Sequence, residues 1–290
     1  MSPAPVRKAV FPVAGLGTRL LPATKTMPKE MLTVVDRPLI QYAVDEAREA
    51  GIEQIILVTG RGKSSLVDYF DTSVELEAAM EKAGKSLELL APARAKPGEI
   101  VSVRQQQPLG LGHAVWCARH IVGKEPFAVL LPDDLMIGTP GALKQMMQAY
   151  AEYGGNIVCA EQVPAEKTGS YGIITPGETK GTATEVKGLV EKPKPAEAPS
   201  RLAIIGRYIL QPEIMDILGK GERGAGGEIQ LTDGMAKLIG AQPFHALQVD
   251  AVRHDCGDKA GYVLANLAIS LQRDDIRPKI EEYLNEVRRG

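Results

Sequence analysis

The feature that most constrains this chain is a rhythm in its first half, where apolar runs of strand length alternate with amphipathic stretches of helix length. Residues 8–14 (KAVFPVA) read as a buried strand, and 38–50 as a helix with Leu39, Ala43, Ala47 and Ala50 on one side. A second strand is expected at 53–59 (EQIILVT), helix at 64–83, a third strand at 100–105 and helix at 112–120. The fourth strand, 127–131, runs straight into Pro132-Asp133-Asp134, and is followed by helix over 142–153 and a strand at 156–160. Strand and helix alternating at this spacing predict βαβ units on a mainly parallel sheet.

The rhythm changes after about Gln162. Residues 171–175, 185–190 and 203–210 read as short strands with little helix between them, as in an inserted antiparallel layer. Residues 192–200 (KPKPAEAPS) read as an exposed, proline-rich connector. Helical pattern returns from Glu228 and dominates from Lys259 onward, where Ile276, Ile280, Tyr283, Leu284 and Val287 form one apolar stripe. That stripe packs on its own domain or meets another subunit; the pattern allows both. With no internal repeat and no long linker, the chain reads as one domain over 1–290.

Composition removes several classes of function. Thirty-four Lys and Arg stand against 36 Asp and Glu, a formal net charge of −2, so no domain-wide basic field exists to hold a polynucleotide. Cys117, Cys159 and Cys256 are far apart and form no C-x-x-C, which argues against a disulfide framework or zinc knuckle and fits a reducing compartment. No apolar run is long enough to span a membrane. Pro12, Gly15 and Gly17 interrupt the apolar stretch after Arg7-Lys8 before a signal-peptide core forms. The expectation is a soluble, cytoplasmic protein without nucleic-acid or membrane partners.

In open α/β sheets ligands bind beyond the carboxyl ends of the strands. Three such ends carry unusual chemistry here, after Ala14, after Thr59 and after Leu131. The first empties into Gly15-Leu16-Gly17-Thr18-Arg19-Leu20-Leu21-Pro22, with Lys25 and Pro28-Lys29-Glu30 following. Two glycines after a buried strand let backbone amides turn toward a phosphate with no Cβ in the way. The dinucleotide fingerprint fits poorly, because Leu20 stands at the third glycine position and Pro22 breaks a helix; no Gly-Lys-Ser/Thr follows, so the P-loop fails as well. What remains is a loop of about 20 residues combining open amides with Arg19, Lys25 and Lys29, a set suited to a triphosphate. A tight turn is the alternative reading of the bare G-L-G.

Asp133, at the end of a hydrophobic strand, is placed to hold Mg²⁺, which prefers one or two protein carboxylates plus substrate phosphate oxygens. Asp255, in His254-Asp255-Cys256-Gly257-Asp258, is the second candidate, and helix capping is the alternative for both. Residues 105–112 (QQQPLGLG) offer a glutamine whose amide presents a donor and an acceptor, as reading a pyrimidine edge requires. Glu191-Lys192-Pro193 sets an acid for a sugar hydroxyl beside a base for a phosphate, though a surface ion pair looks the same.

Together these segments resemble the sugar-1-phosphate nucleotidylyltransferases, most closely their bacterial UTP-using branch. The match runs through residues 11–32 (FPVAGLGTRLLPATKTMPKEML), Arg104-Gln105 with GLGHAV at 110–115, and LPDD at 131–134. It continues through Tyr171-Gly172, Glu191-Lys192-Pro193, Gly206-Arg207-Tyr208, GEIQLTD at 227–233 and Asp255-Cys256-Gly257-Asp258-Lys259.

The resemblance implies an α/β, Rossmann-like nucleotidyltransferase fold: three α/β/α layers around a mainly parallel sheet, with a smaller antiparallel sugar-binding part. On that reading 6–162 is the nucleotide-binding half, 163–256 the sugar-binding half and 257–290 the C-terminal helices. Arg19 would face the β- and γ-phosphates, Lys29 the α-phosphate and Lys192 the sugar phosphate, as the catalytic cations. Ala14, Gly15, Leu16, Gly17, Thr18, Glu30, Gln105 and Gly110 would bind the nucleotide; position favours Gln105 over Gln106 and Gln107 for the base. Asp134, Gly172, Glu191 and Gly206 would meet the sugar, and Asp133 and Asp255 would hold Mg²⁺. The implied reaction joins UTP and α-D-glucose 1-phosphate into UDP-glucose and pyrophosphate, and the implied assembly is a homodimer or homotetramer. The rivals are another nucleotide such as dTTP or another sugar phosphate, a catalytically silent UDP-sugar-binding regulator, and an NAD-binding oxidoreductase that Leu20 already disfavours.

Overall fold

A computed structural model describes residues 3–289. Strand β1 (Lys8–Pro12) leads into three short 3-10 turns (Thr18–Leu20, Ala23–Lys25, Lys29–Met31), a small hairpin of β2 (Thr33–Val34) and β3 (Arg37–Pro38), and helix α1 (Leu39–Glu49). Next come β4 (Gln54–Thr59), α2 (Ser65–Asp68), α3 (Val74–Lys82), β5 (Ile100–Arg104), α4 (Leu111–Cys117) and α5 (Arg119–Val122). Then β6 (Phe127–Leu130), β7 (Asp134–Ile137), α6 (Ala142–Tyr153) and β8 (Asn156–Gln162) complete the alternating half. The second half adds β9 (Gly172–Lys180), β10 (Ala183–Glu191), β11 (Leu202–Leu210), α7 (Ile214–Leu218), α8 (Leu231–Ala236), β12 (Phe244–Leu247) and β13 (Val252–Asp255). Helices α9 (Lys259–Gln272) and α10 (Arg277–Arg289) follow and pack on each other.

One nine-stranded sheet carries the fold, in the order β5-β4-β1-β6-β11-β8-β12-β10-β9. Seven of its strands run one way, and β10 and β11 run against them. The strand period of two explains the layers. Val10, Ile56, Val58, Phe127 and Val129 face α4, α7 and α8, whereas Ala9, Phe11, Ile55, Leu57, Ala128 and Leu130 face α1 and α6. Both faces are buried, so the strands are apolar throughout, as a sheet with helices on both sides demands. The expected three layers and mainly parallel sheet are the ones observed.

Several local expectations change. The antiparallel strands form no separate layer: β11 is inserted between β6 and β8, while β9 and β10 extend the same sheet. The helix expected over 64–83 breaks at Asp71-Thr72-Ser73 into α2 and α3, because such side chains compete with the helix for backbone hydrogen bonds. Helix α8 starts at Leu231, since 228–230 are extended rather than helical. Strand β12, a parallel neighbour of β8, and the two-stranded ribbon of β7 and β13 are only four residues each, too short for a period of two to stand out in sequence. Of the C-terminal stripe, Ile276, Ile280 and Leu284 are half-buried, and Tyr283 and Val287 are exposed.

Candidate active site

A third apolar cluster, apart from the two faces of the sheet, builds the site. Leu20, Leu32, Val34, Leu39, Leu135, Cys256 and Ala265 are buried together there. Leu20 follows Arg19, Leu135 follows Asp133-Asp134, and Cys256 follows Asp255, so burying this cluster draws three distant segments together. The β7–β13 ribbon sets the register, with Asp255 opposite Asp134.

The result is a convergence around Gly257. A Cβ built on Gly257 would lie 2.4 Å from Arg19 Nη2, 2.9 Å from Asp133 Oδ2 and 2.9 Å from Asp255 Oδ1. Lys29 Nζ donates to Asp133 Oδ2 at 2.5 Å, and Arg19 Nη1 lies 3.7 Å from Asp255 Oδ2. Burial alone would pull the Lys29 ammonium toward neutrality, but the charges of Asp133 and Glu30 outweigh it and raise its pKa. Burial also disfavours the Asp133 carboxylate, and the Lys29 charge overrides it and lowers the pKa. Both groups are therefore ionised at neutral pH. Among the described residues no group of three or more His, Cys, Asp or Glu side chains forms a metal cage. Two carboxylate oxygens beside a cationic loop instead fit an ion that takes its remaining ligands from phosphate and water, as Mg²⁺ does.

Arg19, Asp133 and Asp255 open onto a cavity of about 290 Å³ that is also lined by Asp134, Gly172, Glu191, Lys192 and Gly206. Arg19 and Lys192, expected to meet phosphates, thus share one hollow with the expected metal and sugar residues, and Lys29 joins them through its bond to Asp133. Gly172 lies opposite Glu191 in the β9–β10 register, and a Cβ there would come 2.8 Å from Thr232 Oγ1 and 3.2 Å from Glu191 Oε2. A side chain at 172 would fill the space beside the Glu191 carboxylate. Lys192 Nζ is 3.4 Å from Glu191 Oε1, and its backbone is held at φ +47°, a left-handed conformation costing a non-glycine residue about 1–3 kcal/mol. Its amide donates to the Tyr171 carbonyl at 2.9 Å, which anchors that conformation.

Other expected residues land differently. Asp134 lines the cavity, yet its Oδ2 accepts from the Gly206 amide at 3.2 Å and its Oδ1 from Arg253 Nε at 2.6 Å. Burial raises its pKa against the pull of Arg253. Glu30 does not line the cavity: it is 1% exposed, and its Oε2 accepts from Lys63 Nζ at 2.9 Å. Burial pushes the Glu30 carboxyl up, against the pull of Lys63 and Lys29, and its Oε1 is buried without a partner. Leu16 is 73% exposed, Gly15 and Thr18 are exposed beside it, and none of the three lines the cavity. Gly17 takes φ +67°, which only glycine adopts freely, and its carbonyl accepts from Thr24 Oγ1 at 2.7 Å, pinning the loop.

The nucleotide side is a row of strand ends. A Cβ on Gly60, after β4, would come within 3.1 Å of the Ala14 carbonyl, after β1. The Gln105 backbone N–H, after β5, donates to the Thr59 carbonyl at 2.9 Å. Gly110 has φ +106°, and a Cβ there would lie 2.7 Å from Glu228 Cβ and 2.8 Å from the Ile229 carbonyl, so the loop abuts the cavity wall that Glu228 supplies. Gln105 is buried, whereas Gln106 and Gln107 are exposed over a separate depression with Trp116 and Arg119. Sequence reasoning missed Arg253 and Lys63. Arg253 stands two residues before Asp255 and so on the same face of a strand, and Lys63 follows the second of the three strand ends, after Thr59, in Gly60-Arg61-Gly62-Lys63.

Residues 8–270, from β1 through most of α9, match the description of a nucleotidyl transferase. The chain belongs to the nucleotidyl transferase family. This nucleotidyl transferase is 55% identical to a UTP–glucose-1-phosphate uridylyltransferase of Komagataeibacter xylinus, over 88% of its own length and 90% of that protein's. A UTP-bound UGPase from Acinetobacter baumannii superposes with a TM-score of 0.87 at 43% identity, covering 97% of this chain and 99% of that one. A UDP-glucose pyrophosphorylase complexed with UDP-glucose superposes with a TM-score of 0.83 at 45% identity, covering 93% and 100%. Among the described residues no helix is long and apolar enough to cross a membrane.

Proposed function

We propose that this nucleotidyl transferase is a UTP–glucose-1-phosphate uridylyltransferase, which forms UDP-glucose and pyrophosphate from UTP and α-D-glucose 1-phosphate. The observation that carries the reading is the convergence of Arg19, Asp133 and Asp255 at Gly257, with Lys29 bonded to Asp133, on a cavity that Gly172, Glu191, Lys192 and Gly206 also line. The first group suits a triphosphate and the second a phosphorylated sugar.

A phosphate oxygen of glucose 1-phosphate attacks the α-phosphorus of UTP in line. The new P–O bond forms as the bond to the bridging oxygen breaks, and pyrophosphate leaves with that electron pair. The nucleophile is already an anion at neutral pH, so no protein base is required. The obstacle is repulsion between two polyanions, and catalysis reduces to positioning and charge. Lys192 holds the sugar phosphate, Glu191 a sugar hydroxyl, Lys29 the α-phosphate and Arg19 the departing phosphates. Gly15–Thr18 turn backbone amides toward the phosphates, with Ala14, Gln105 and Gly110 around the base. Asp133 and Asp255 would hold Mg²⁺, which when bound supplies charge neutralisation at the phosphates. Arg253 and Lys63 act on the positions of Asp134 and Glu30.

We read the chain as one domain of two halves acting in the cytoplasm as a homodimer or homotetramer, the exposed Val263 and Leu264 of α9 with Tyr283 and Val287 of α10 being the surface for self-association. The test is to incubate the protein with Mg²⁺ and follow pyrophosphate release across UTP, dTTP, CTP and GTP and across several sugar 1-phosphates. Release with UTP and glucose 1-phosphate above all other pairs is the expected result; none with any pair would reject catalysis.

A further inference from the structure

His113, on the first turn of α4, belongs to none of the roles above. Its Nδ1 lies 3.1 Å from Gln105 Nε2, and the same Nε2 donates to the Gly110 carbonyl at 3.0 Å. A carbonyl oxygen only accepts, so the NH2 end of the Gln105 amide is the end turned toward α4 and the C=O end points away. Among the described residues that oxygen accepts no hydrogen bond, and it is not among the buried orphaned atoms. The second N–H of the amide faces His113 Nδ1, which must then accept, leaving the ring proton on Nε2. The ring is held in place by stacking on Trp116, with centroids 5.9 Å apart, and the Arg119 guanidinium lies 3.6 Å from the Trp116 ring centre. Burial, with Arg119 adding to it, keeps the imidazole below its ordinary pKa and so neutral at pH 7.

We propose that His113 is a positioning residue that sets nucleobase specificity, by locking the Gln105 amide with its carbonyl oxygen toward the base. This rests on the reading in which Gln105 meets the base. A free carbonyl oxygen is matched by an imide N–H, which uracil and thymine both present. Cytosine presents an unprotonated ring nitrogen at that position, so lone pair would face lone pair. Rotation of the amide by half a turn reverses the preference, and it requires both anchors to be given up. The Gly110 carbonyl is one anchor and His113 Nδ1 is the other.

The experiment measures kcat and KM with UTP, dTTP and CTP, at saturating glucose 1-phosphate, for the wild type, His113→Leu, His113→Asn and Gln105→Leu. His113→Leu removes the acceptor; the preference for UTP over CTP is expected to fall about tenfold through KM, with the dTTP-to-UTP ratio unchanged because thymine keeps the imide. His113→Asn offers its side-chain oxygen near the place of Nδ1 and is expected to restore most of the preference. A uniform loss across the three nucleotides, or an unchanged UTP-to-CTP ratio in His113→Leu, overturns the role of His113. Gln105→Leu separates this from the underlying reading. If it erases the preference while His113→Leu does not, only the positioning role falls; if it leaves the preference intact, Gln105 does not read the base and both fall.

Discussion

The Cys256 amide donates to the Asp133 carbonyl at 2.7 Å, which ties the two candidate metal-binding aspartates, Asp133 and Asp255, across a gap of more than a hundred residues in sequence. Asp255 immediately precedes Cys256, and Cys256 is buried with Leu20 and Leu135. The two backbones are therefore tied by backbone pairing and apolar packing, and the carboxylates are then held by Lys29 and by the Gly257 amide, before any ion or substrate arrives. Preformed charge of this kind is what phosphoryl and nucleotidyl transfer need, since little reorganisation is left for the reaction itself.

Asp133→Asn should cost at least about a hundredfold in turnover, because an amide is a poor ligand for Mg²⁺ and leaves Lys29 without its hydrogen-bonded carboxylate. Pyrophosphate release measured across a Mg²⁺ titration, with circular dichroism to check the fold, is the assay. Near-normal activity at limiting Mg²⁺ would remove Asp133 from the site.

Gly257→Ala places a methyl within 3 Å of Arg19 Nη2 and of both aspartate oxygens. Arg19 is mostly exposed and can swing aside, but Asp133 Oδ2 is bonded to Lys29 and Asp255 Oδ1 accepts from the Gly257 amide itself at 2.9 Å. We expect the melting temperature to move by only a few degrees while turnover collapses. A variant with normal turnover would mean that the three groups do not act together.

Lys192→Ala should raise KM for glucose 1-phosphate by about tenfold or more while that for UTP changes little, since loss of one charged hydrogen bond to a phosphate is worth about 1.5–3 kcal/mol. Initial rates with each substrate varied in turn decide it. Equal losses for both would reject the assignment.

Arg207→Met tests what holds the Pro132-Asp133-Asp134 turn. The fully buried Arg207 pairs with Glu46 of α1 at 2.7 Å and donates to the carbonyls of Leu131 and Asp134, each at 2.9 Å. Removing it strands the buried Glu46 carboxylate, at an expected cost of about 3–5 kcal/mol, read as a fall in urea midpoint. The double variant with Glu46→Leu should recover much of that stability, but turnover should stay low because the turn has lost its tether. Recovery of both would show that the turn holds itself.

Leu264→Glu puts a charge in the exposed apolar face of α9. On the proposed self-association through this face, sedimentation velocity should show the variant as a monomer and the wild type as an oligomer. An unchanged oligomer places the contact elsewhere.

The alternation of apolar runs, the turn at Gly15–Gly17 and the carboxylate at the end of β6 were all legible in the chain, because strand and helix periods and the needs of a phosphate are local properties. Helix α6 was read to its observed ends, since its stripe repeats cleanly between Gly141 and Gly154. The ribbon of β7 and β13, the insertion of β11 between β6 and β8, and the strained backbone of Lys192 were not legible. Each depends on a partner far away in sequence.

The sequence by itself determined the layered α/β class, the residue types at the strand ends and the class of chemistry those types serve. Only the tertiary structure decided that Arg19, Asp133 and Asp255 share a single hollow with Glu191 and Lys192, that Lys29 is bonded to Asp133 beside it, that Glu30 is buried against Lys63, and that the Gln105 side-chain amide has one orientation. The reason is that hydrophobic periodicity specifies which face of an element is covered but not which distant segment covers it. That choice is made by the collective burial of Leu20, Leu135 and Cys256 and by backbone pairing, neither of which leaves a mark on any one stretch of chain.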